Sequence, residues 1–124
     1  MKTINRSAFE RQIKAGELCD GMTFNEKVWA LTARIPRGKV TTYGEIARAL
    51  DCNGARAVGN ALNRNPFAPA VPCHRVVGSA GALTGFAGGL PKKQQLLKAE
   101  GVPFVGPKVD LRDRFTFEAA RSSN

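Results

Sequence analysis

The residues of this chain with the clearest capacity for chemistry are Cys73 and His74, which follow Pro72 directly. His74 is the only histidine in the sequence. A cysteine attacks as its thiolate, and a thiol with an ordinary pKa near ~8.5 is only slightly ionised at neutral pH. Histidine supplies a base that works close to neutrality. The pair therefore predicts nucleophilic chemistry, with a buried structural thiol beside an imidazole as the alternative.

The local geometry of this pair needs a turn. Neighbouring residues point to opposite faces of a strand, or about 100° apart on a helix. We therefore do not expect Cys73 and His74 to hydrogen-bond directly in regular structure, and a tight turn or a bridging water is needed. Pro72 favours a turn, because its ring fixes its own φ and pushes Val71 towards an extended conformation.

Length and composition are those of one globular domain, with 124 residues, 43% hydrophobic and 23% charged. No apolar run approaches the ~20 residues of a membrane span, and the first residues lack the apolar core of a signal peptide. The three cysteines have no CxxC spacing, which argues against a disulfide framework or a zinc site and favours a reducing compartment. We therefore expect a cytoplasmic protein with no metal site and no membrane contact.

The charge distribution indicates a polyanionic partner. The formal charge is +9 and the sequence pI is near 10.1. No acidic residue falls between Asp51 and Glu100, whereas six basic residues do: Arg56, Arg64, Arg75, Lys92, Lys93 and Lys98. A basic surface without a partner is the alternative, but a segment this one-sided that also contains the Cys-His pair favours nucleic acid.

Capping patterns predict the helices that position the pair. Residues 23–26 and 42–45 both match a capping box and precede apolar residues at helical spacing. Turn formers at 51–54 then separate the second of these helices from a helix over 55–63. Two short helices around a compact turn, preceded by a longer helix, are typical of a helix-turn-helix.

The second half of the chain predicts smaller elements. Residues 76–83 predict a small β-hairpin, 84–89 form a glycine-rich loop without the spacing of a P-loop, and 115–117 predict a strand. A helix begins at Pro91 and ends at Gly101. The predicted fold class is α+β and mostly helical, a winged helix-turn-helix-like DNA-binding domain with a small β-hairpin.

The helix predicted over 55–63 has an unusual outer face. Four residues recur there at helical spacing, with Ala55 and Ala57 alongside: Arg56, Gly59, Asn60 and Asn63. Glycine and alanine let a backbone approach another surface closely. Tight helix packing would use the same small residues, but the arginine and the two asparagines favour a polar ligand such as DNA.

Motifs across the chain together resemble a known family. In order they are Ile35-Pro36-x-Gly38-x-Val40-x-Thr42-Tyr43-Gly44-x-Ile46-Ala47, Arg56-Ala57-Val58-Gly59, Asn65-Pro66, Pro72-Cys73-His74-Arg75-Val76, Gly85-Phe86-x-Gly88-Gly89 and Lys93-x-x-Leu96-Leu97-x-x-Glu100-Gly101. Over roughly residues 24–102 the sequence resembles the active domain of the O6-alkylguanine-DNA alkyltransferases (methylated-DNA–protein-cysteine methyltransferases). We expect residues 1–23 to be an amino-terminal extension and 24–124 the alkyltransferase-like domain, within one domain overall, an active-domain-only form.

The resemblance implies a suicidal repair reaction on double-stranded DNA containing O6-alkylguanine, by a monomer that needs no cofactor. The alkylated guanine is flipped from the duplex, and Cys73 takes the alkyl group irreversibly. His74 would be the base, acting through a water, with Glu100 orienting it and Asn65 bracing the site. Tyr43 would press on the phosphate of the flipped nucleotide and help to protonate the leaving guanine.

The resemblance also implies DNA-contacting and pocket residues. Arg56 would fill the gap in the base stack, from a recognition helix that the family lays in the minor groove. The other residues implied at the DNA are Tyr43, Ala57, Gly59, Asn60 and Arg75, and those implied in the substrate pocket are Pro69, Val76, Gly85, Phe86 and Ala87. Many relatives have tyrosine at position 86 and some have serine at 87, so a weaker affinity for substrate is expected.

Two other functions compete with the transferase. Alkyltransferase-like proteins share the fold and mark lesions without catalysis, but they typically replace the acceptor cysteine, whereas Pro72-Cys73-His74-Arg75 is intact here. A Cys-His hydrolase of unrelated fold would need an oxyanion hole, for which the sequence offers no candidate, and would turn over many times.

Overall fold

The computed structural model describes residues 8–52, 54–84, 86 and 89–117. These residues form five α-helices, one 3₁₀ helix and four two-residue strands. In chain order they are α1 (Glu10–Lys14), α2 (Phe24–Ala33), β1 (Thr41–Thr42), α3 (Tyr43–Ala49), α4 (Ala55–Asn63), the 3₁₀ helix (Cys73–Arg75), β2 (Val76–Val77), α5 (Leu90–Ala99), β3 (Phe104–Val105) and β4 (Lys108–Val109). No helix in the described ranges has the length and apolarity needed to cross a membrane.

Helix α2 is the central helix of the core, and its predicted capping box is confirmed. The Thr23 hydroxyl accepts a hydrogen bond from the backbone N–H of Glu26 at 3.1 Å, and the Glu26 carboxylate accepts one from the Thr23 N–H at 2.8 Å. The indole N–H of Trp29 donates to the Ala61 carbonyl at 2.7 Å, which fixes α2 against α4. This hydrogen bond and the packing around it hold α4 in place on α2.

The helix-turn-helix formed by α3 and α4 follows the predicted boundaries. The Thr42 hydroxyl caps α3 by accepting from the Glu45 N–H at 3.1 Å. The Glu45 carboxylate does not complete that box; it accepts from Arg48 and Arg114 instead, both at 3.1 Å. Asp51, at φ 54°, makes the left-handed turn that ends α3, and α4 then begins at Ala55 as expected.

The predicted hairpin over 76–83 is wrong. Residues Val76–Val77 pair in parallel with Thr41–Thr42, and both valines are fully buried. A continuous apolar pair that is covered on both faces is typical of parallel pairing rather than of a hairpin. The antiparallel hairpin of the described chain is formed by β3 and β4. Residues 78–82 turn against β4, where the Gly81 carbonyl accepts from the Val109 N–H at 2.9 Å.

Residues 113–117, which we call the C-terminal strap, lie beside β1. The Phe115 N–H donates to the Val40 carbonyl at 2.7 Å, and the Thr41 hydroxyl donates to the Phe115 carbonyl at 2.7 Å. A strand was predicted over 115–117, but the structure has only these isolated hydrogen bonds there. Phe117 is buried in the main core, and Arg114 reaches Glu45. The strap therefore fixes both β1 and the first turn of α3.

The amino-terminal residues from Ala8 onwards pack on the same core. Ile13 on α1 is fully buried among the residues of the main cluster. The Arg34 Nε donates to the Gly16 carbonyl at 2.7 Å, which joins the end of α2 to the segment after α1.

Candidate active site and nucleic-acid interface

The Cys-His pair lies in a tight turn, as predicted. Cys73–Arg75 form the 3₁₀ helix directly after Pro72, closed by a bond from the Arg75 N–H to the Pro72 carbonyl at 2.9 Å. Successive side chains on such a helix diverge by about 120°. Cys73 is half-buried and His74 is buried, so the two point into different surroundings.

His74 is held from α5 by Glu100. The His74 Nε2 lies 2.8 Å from Glu100 Oε2. Arg75 donates two hydrogen bonds to the same carboxylate, from Nε to Oε1 at 2.9 Å and from Nη2 to Oε2 at 3.0 Å. Its Nη1 donates to the Ile35 carbonyl at 2.8 Å. The carboxylate therefore organises the two residues that follow Cys73.

This arrangement keeps the Glu100 carboxylate ionised. Burial alone would raise the pKa of Glu100, but the hydrogen bonds and charges of Arg75 and His74 outweigh it and lower the pKa to about 2. An ionised carboxylate only accepts hydrogen bonds, so we assign the proton of neutral His74 to Nε2. Nδ1 is then the free acceptor, the state that a general base requires.

Arg75 does not lie with the residues implied at the DNA. Its side chain is only 15% exposed, and its guanidinium is directed at Glu100 and the Ile35 carbonyl. The guanidinium donates three hydrogen bonds inwards, and it supplies the cationic partner that the buried carboxylate needs.

Asn65 braces the loop ahead of the turn. Its Nδ2 donates to the Val71 carbonyl at 2.9 Å, and its Oδ1 accepts from the Phe67 N–H at 2.8 Å. Val71 in turn accepts from the Cys73 N–H at 2.9 Å. Asn65 thus contacts the reactive turn through a single carbonyl.

The residues implied in the substrate pocket are only partly described. Val76 is buried next to the turn, Phe86 is half-buried and Pro69 is exposed. Gly85 and Ala87 lie outside the described residues.

Tyr43 and Lys93 meet at one carbonyl on the other side of the turn. The Tyr43 hydroxyl donates to the Thr84 carbonyl at 3.1 Å, and Lys93 Nζ donates to the same carbonyl at 2.7 Å. Burial raises the pKa of Tyr43, the Thr84 hydrogen bond opposes that rise, and charge at Cys73 adds to it. Sequence reasoning missed Lys93 as a site residue. The available signal was its position four residues before Leu97, on the buried face of α5.

The outer face of α4 carries the predicted row of residues and forms one wall of a groove. Its volume is about 320 Å³, and it is lined by Tyr43, Ala55, Arg56, Gly59, Asn60, Asn63 and Thr84. Arg56 and Asn60 are exposed. Ala57 is half-buried and does not line the groove. Tyr43 lines this groove and also interacts electrostatically with Cys73, so it connects the outer face of α4 with the reactive turn.

Known proteins are similar to this chain in sequence. A family model described as 6-O-methylguanine DNA methyltransferase, DNA binding domain, matches residues 23–102. A methylated-DNA–protein-cysteine methyltransferase of Methanosarcina acetivorans is 52% identical over 83 residues, which are 66% of this chain and 53% of that protein. One of Mycolicibacterium paratuberculosis is 47% identical over 95 residues, covering 69% of this chain and 58% of that protein. The chain therefore spans little more than half the length of these curated relatives.

Two solved structures share the fold. Mycobacterium tuberculosis OGT in complex with DNA has a TM-score of 0.61 and 42% identity, covering 73% of this chain and 62% of that chain. S. pombe Atl1, in complex with damaged DNA containing O6-carboxymethylguanine, has a TM-score of 0.63 and 35% identity, covering 71% of this chain and 89% of that chain.

Proposed function

The chain belongs to the 6-O-methylguanine DNA methyltransferase family, and we propose that it repairs duplex DNA by accepting an alkyl group from O6 of guanine onto Cys73. The main structural support is the cluster of His74, Arg75 and Glu100 next to Cys73, in which His74 Nε2 lies 2.8 Å from the Glu100 carboxylate. That cluster supplies a base for the thiol. The names of the curated relatives and the DNA in the M. tuberculosis OGT structure support this reaction and this substrate.

The chemistry proceeds by displacement at the alkyl carbon. The Cys73 proton passes through a water to Nδ1 of His74, and the thiolate attacks the alkyl carbon. The new S–C bond replaces the C–O6 bond, whose electron pair remains on guanine. Tyr43 donates a proton to the leaving base and regains one from solvent, to which His74 releases its own. The thioether has no good leaving group, so each chain reacts once.

Base flipping brings the lesion to the thiol. A guanine inside the duplex cannot reach a half-buried cysteine, so it must leave the stack. Arg56 is exposed on the α4 groove and is the long cationic side chain suited to fill the gap. Gly59 and Asn60 on the same groove allow close approach to the DNA. One chain supplies every residue of the site, so a monomer suffices.

The proposed reaction predicts one methyl group per chain, on Cys73. The protein is incubated with an excess of duplex carrying labelled O6-methylguanine, and peptide mass spectrometry locates the label. Cys19 and Cys52, both reduced and half-buried, are internal controls and stay unmodified. Repair of more than one equivalent, or label on either control cysteine, contradicts the mechanism.

A lesion-binding role is the second candidate, because the fold also covers 89% of S. pombe Atl1. That function gives tight binding to alkylated duplex without any transfer. The same incubation separates the two, since the bound DNA then keeps all of its label.

The Arg56→Ala variant is expected to slow methyl transfer from duplex DNA by roughly 10- to 100-fold. Without Arg56 in the gap, part of the free-energy cost of unstacking the flipped guanine is no longer offset. Transfer from single-stranded DNA changes little, because no stack has to be refilled. Arg64→Ala, which removes the same charge from the exposed residue directly after α4, is the matched control. An equal loss of rate on both DNA forms would exclude the stack-filling role.

A further inference from the structure

We infer that Lys93 is a positioning residue for the Cys73 thiolate, joining the reactive turn to the Thr84 segment and supplying a cation within electrostatic reach of the sulfur. This role deepens the proposed function and rests on it, because the reaction that Lys93 would assist is the proposed alkyl transfer to Cys73. It concerns a side chain that the cluster of His74, Glu100 and Arg75 does not include.

The contacts of Lys93 connect three parts of the site. The side chain is fully buried, and Nζ donates to the carbonyls of Val76 and Thr84, both at 2.7 Å. Val76 directly follows the 3₁₀ helix that carries Cys73, and the Thr84 carbonyl also accepts from the Tyr43 hydroxyl. One ammonium on α5 therefore holds the reactive turn, the Thr84 segment and the phenol in a single arrangement.

Among the residues that the structure describes, no carboxylate pairs with this ammonium. Within the described ranges, no Asp or Glu oxygen lies within 4.0 Å of Lys93 Nζ. Two titratable groups interact with it: Tyr43 on α3, whose ring centroid lies 5.8 Å from Nζ, and Cys73 on the 3₁₀ helix, which acts through its charge. Glu100 is already occupied by His74 and Arg75. The two carbonyls accept hydrogen bonds from the buried ammonium but do not neutralise its charge. A Cys73 thiolate is an anion within electrostatic reach.

The interaction between these two groups is mutual. Burial lowers the pKa of Lys93 to about 8, and the charge of Cys73 opposes that fall. A thiolate that favours the ammonium is favoured by the ammonium to the same extent, because coupling between two sites is reciprocal.

The test measures thiol reactivity without DNA. Wild-type protein, Lys93→Met, Lys93→Arg and Lys92→Met react with iodoacetamide across a range of pH, and peptide mass spectrometry follows Cys73 separately from Cys19 and Cys52. In Lys93→Met the profile of Cys73 moves upwards by about one pH unit, so its rate at pH 7 falls about tenfold. Lys93→Arg, which keeps the charge, recovers part of that rate. Lys92→Met, which removes an exposed charge from the same helix, matches wild type.

A folded Lys93→Met protein whose profile superimposes on wild type overturns the inference. If that variant does not fold, the reciprocal effect is measured by NMR titration of the Lys93 Cε in wild type and in Cys73→Ser. We expect Lys93 to lose its proton at lower pH in Cys73→Ser, and identical titrations overturn the inference. Failure of wild type to accept methyl from DNA would refute the proposed function, yet the iodoacetamide comparison would still decide the role of Lys93.

Discussion

The Cys73→Ala variant is expected to lose methyl transfer entirely while binding alkylated duplex within about twofold of wild type. Alanine keeps the Cys73 N–H bond to the Val71 carbonyl, at 2.9 Å, so the turn survives. The α4 groove that we propose for DNA contains no atom of this residue. Transfer is measured by label retained on protein, and binding by fluorescence anisotropy with the same duplex.

The controls for this variant are Cys19→Ala and Cys52→Ala, which remove equivalent half-buried thiols elsewhere. Both are expected to transfer one methyl group per chain. Transfer by Cys73→Ala at a rate near wild type would refute Cys73 as acceptor, whereas loss of DNA binding would show that this residue also shapes the interface.

The Glu100→Gln variant is expected to slow transfer by about 100-fold or more, on the scale of losses seen when the partner that orients a catalytic histidine is neutralised. Glutamine has the same shape, but its amide can donate as well as accept, so the proton of His74 is no longer confined to Nε2. Arg75 also loses its anionic partner at 2.9 Å. Single-turnover kinetics with excess protein measure the effect.

The pH dependence of stability gives a second readout for Glu100. Its folded pKa of about 2 lies below the ordinary value of 4.5, so the ionised form contributes stability that is fully present above pH ~4.5. That contribution is lost as the pH falls from there through 2, and Glu100→Gln loses less over the same range. Glu45→Gln, which also removes a buried, arginine-paired carboxylate, separates lost stability from lost transfer. A Glu100→Gln rate equal to that of Glu45→Gln would contradict the orienting role.

Local signals in the sequence were sufficient for the helices and for the turn. The Thr23 and Glu26 box, the break before α4 and the outward face around Arg56 all depend on residues within about one or two turns of one another. Cys73 and His74 in a tight turn followed from Pro72 and the angle between neighbours. Capping, helical spacing and proline geometry act over short stretches, and for that reason sequence reasoning reached them.

Contacts between distant residues were harder to predict. A two-residue strand shows no periodicity, so nothing in Val76–Val77 revealed its parallel partner Thr41–Thr42. Arg75 meets a carboxylate 25 residues further along the chain, and charged side chains are ordinarily expected at the surface. Lys93 was hidden by the same expectation, because only the fold brings the Val76 and Thr84 carbonyls to its ammonium.

The C-terminal strap determines where this protein tolerates cutting or fusion. The family match ends at residue 102, but Phe115 and Phe117 lie beyond it and complete the core and the edge of β1. A fragment trimmed to the matched region would leave the Val40 carbonyl without its Phe115 donor and would release Glu45 from Arg114. The minimal unit for labelling or for linkage to another protein therefore extends through residue 117, with attachment points chosen outside the strap.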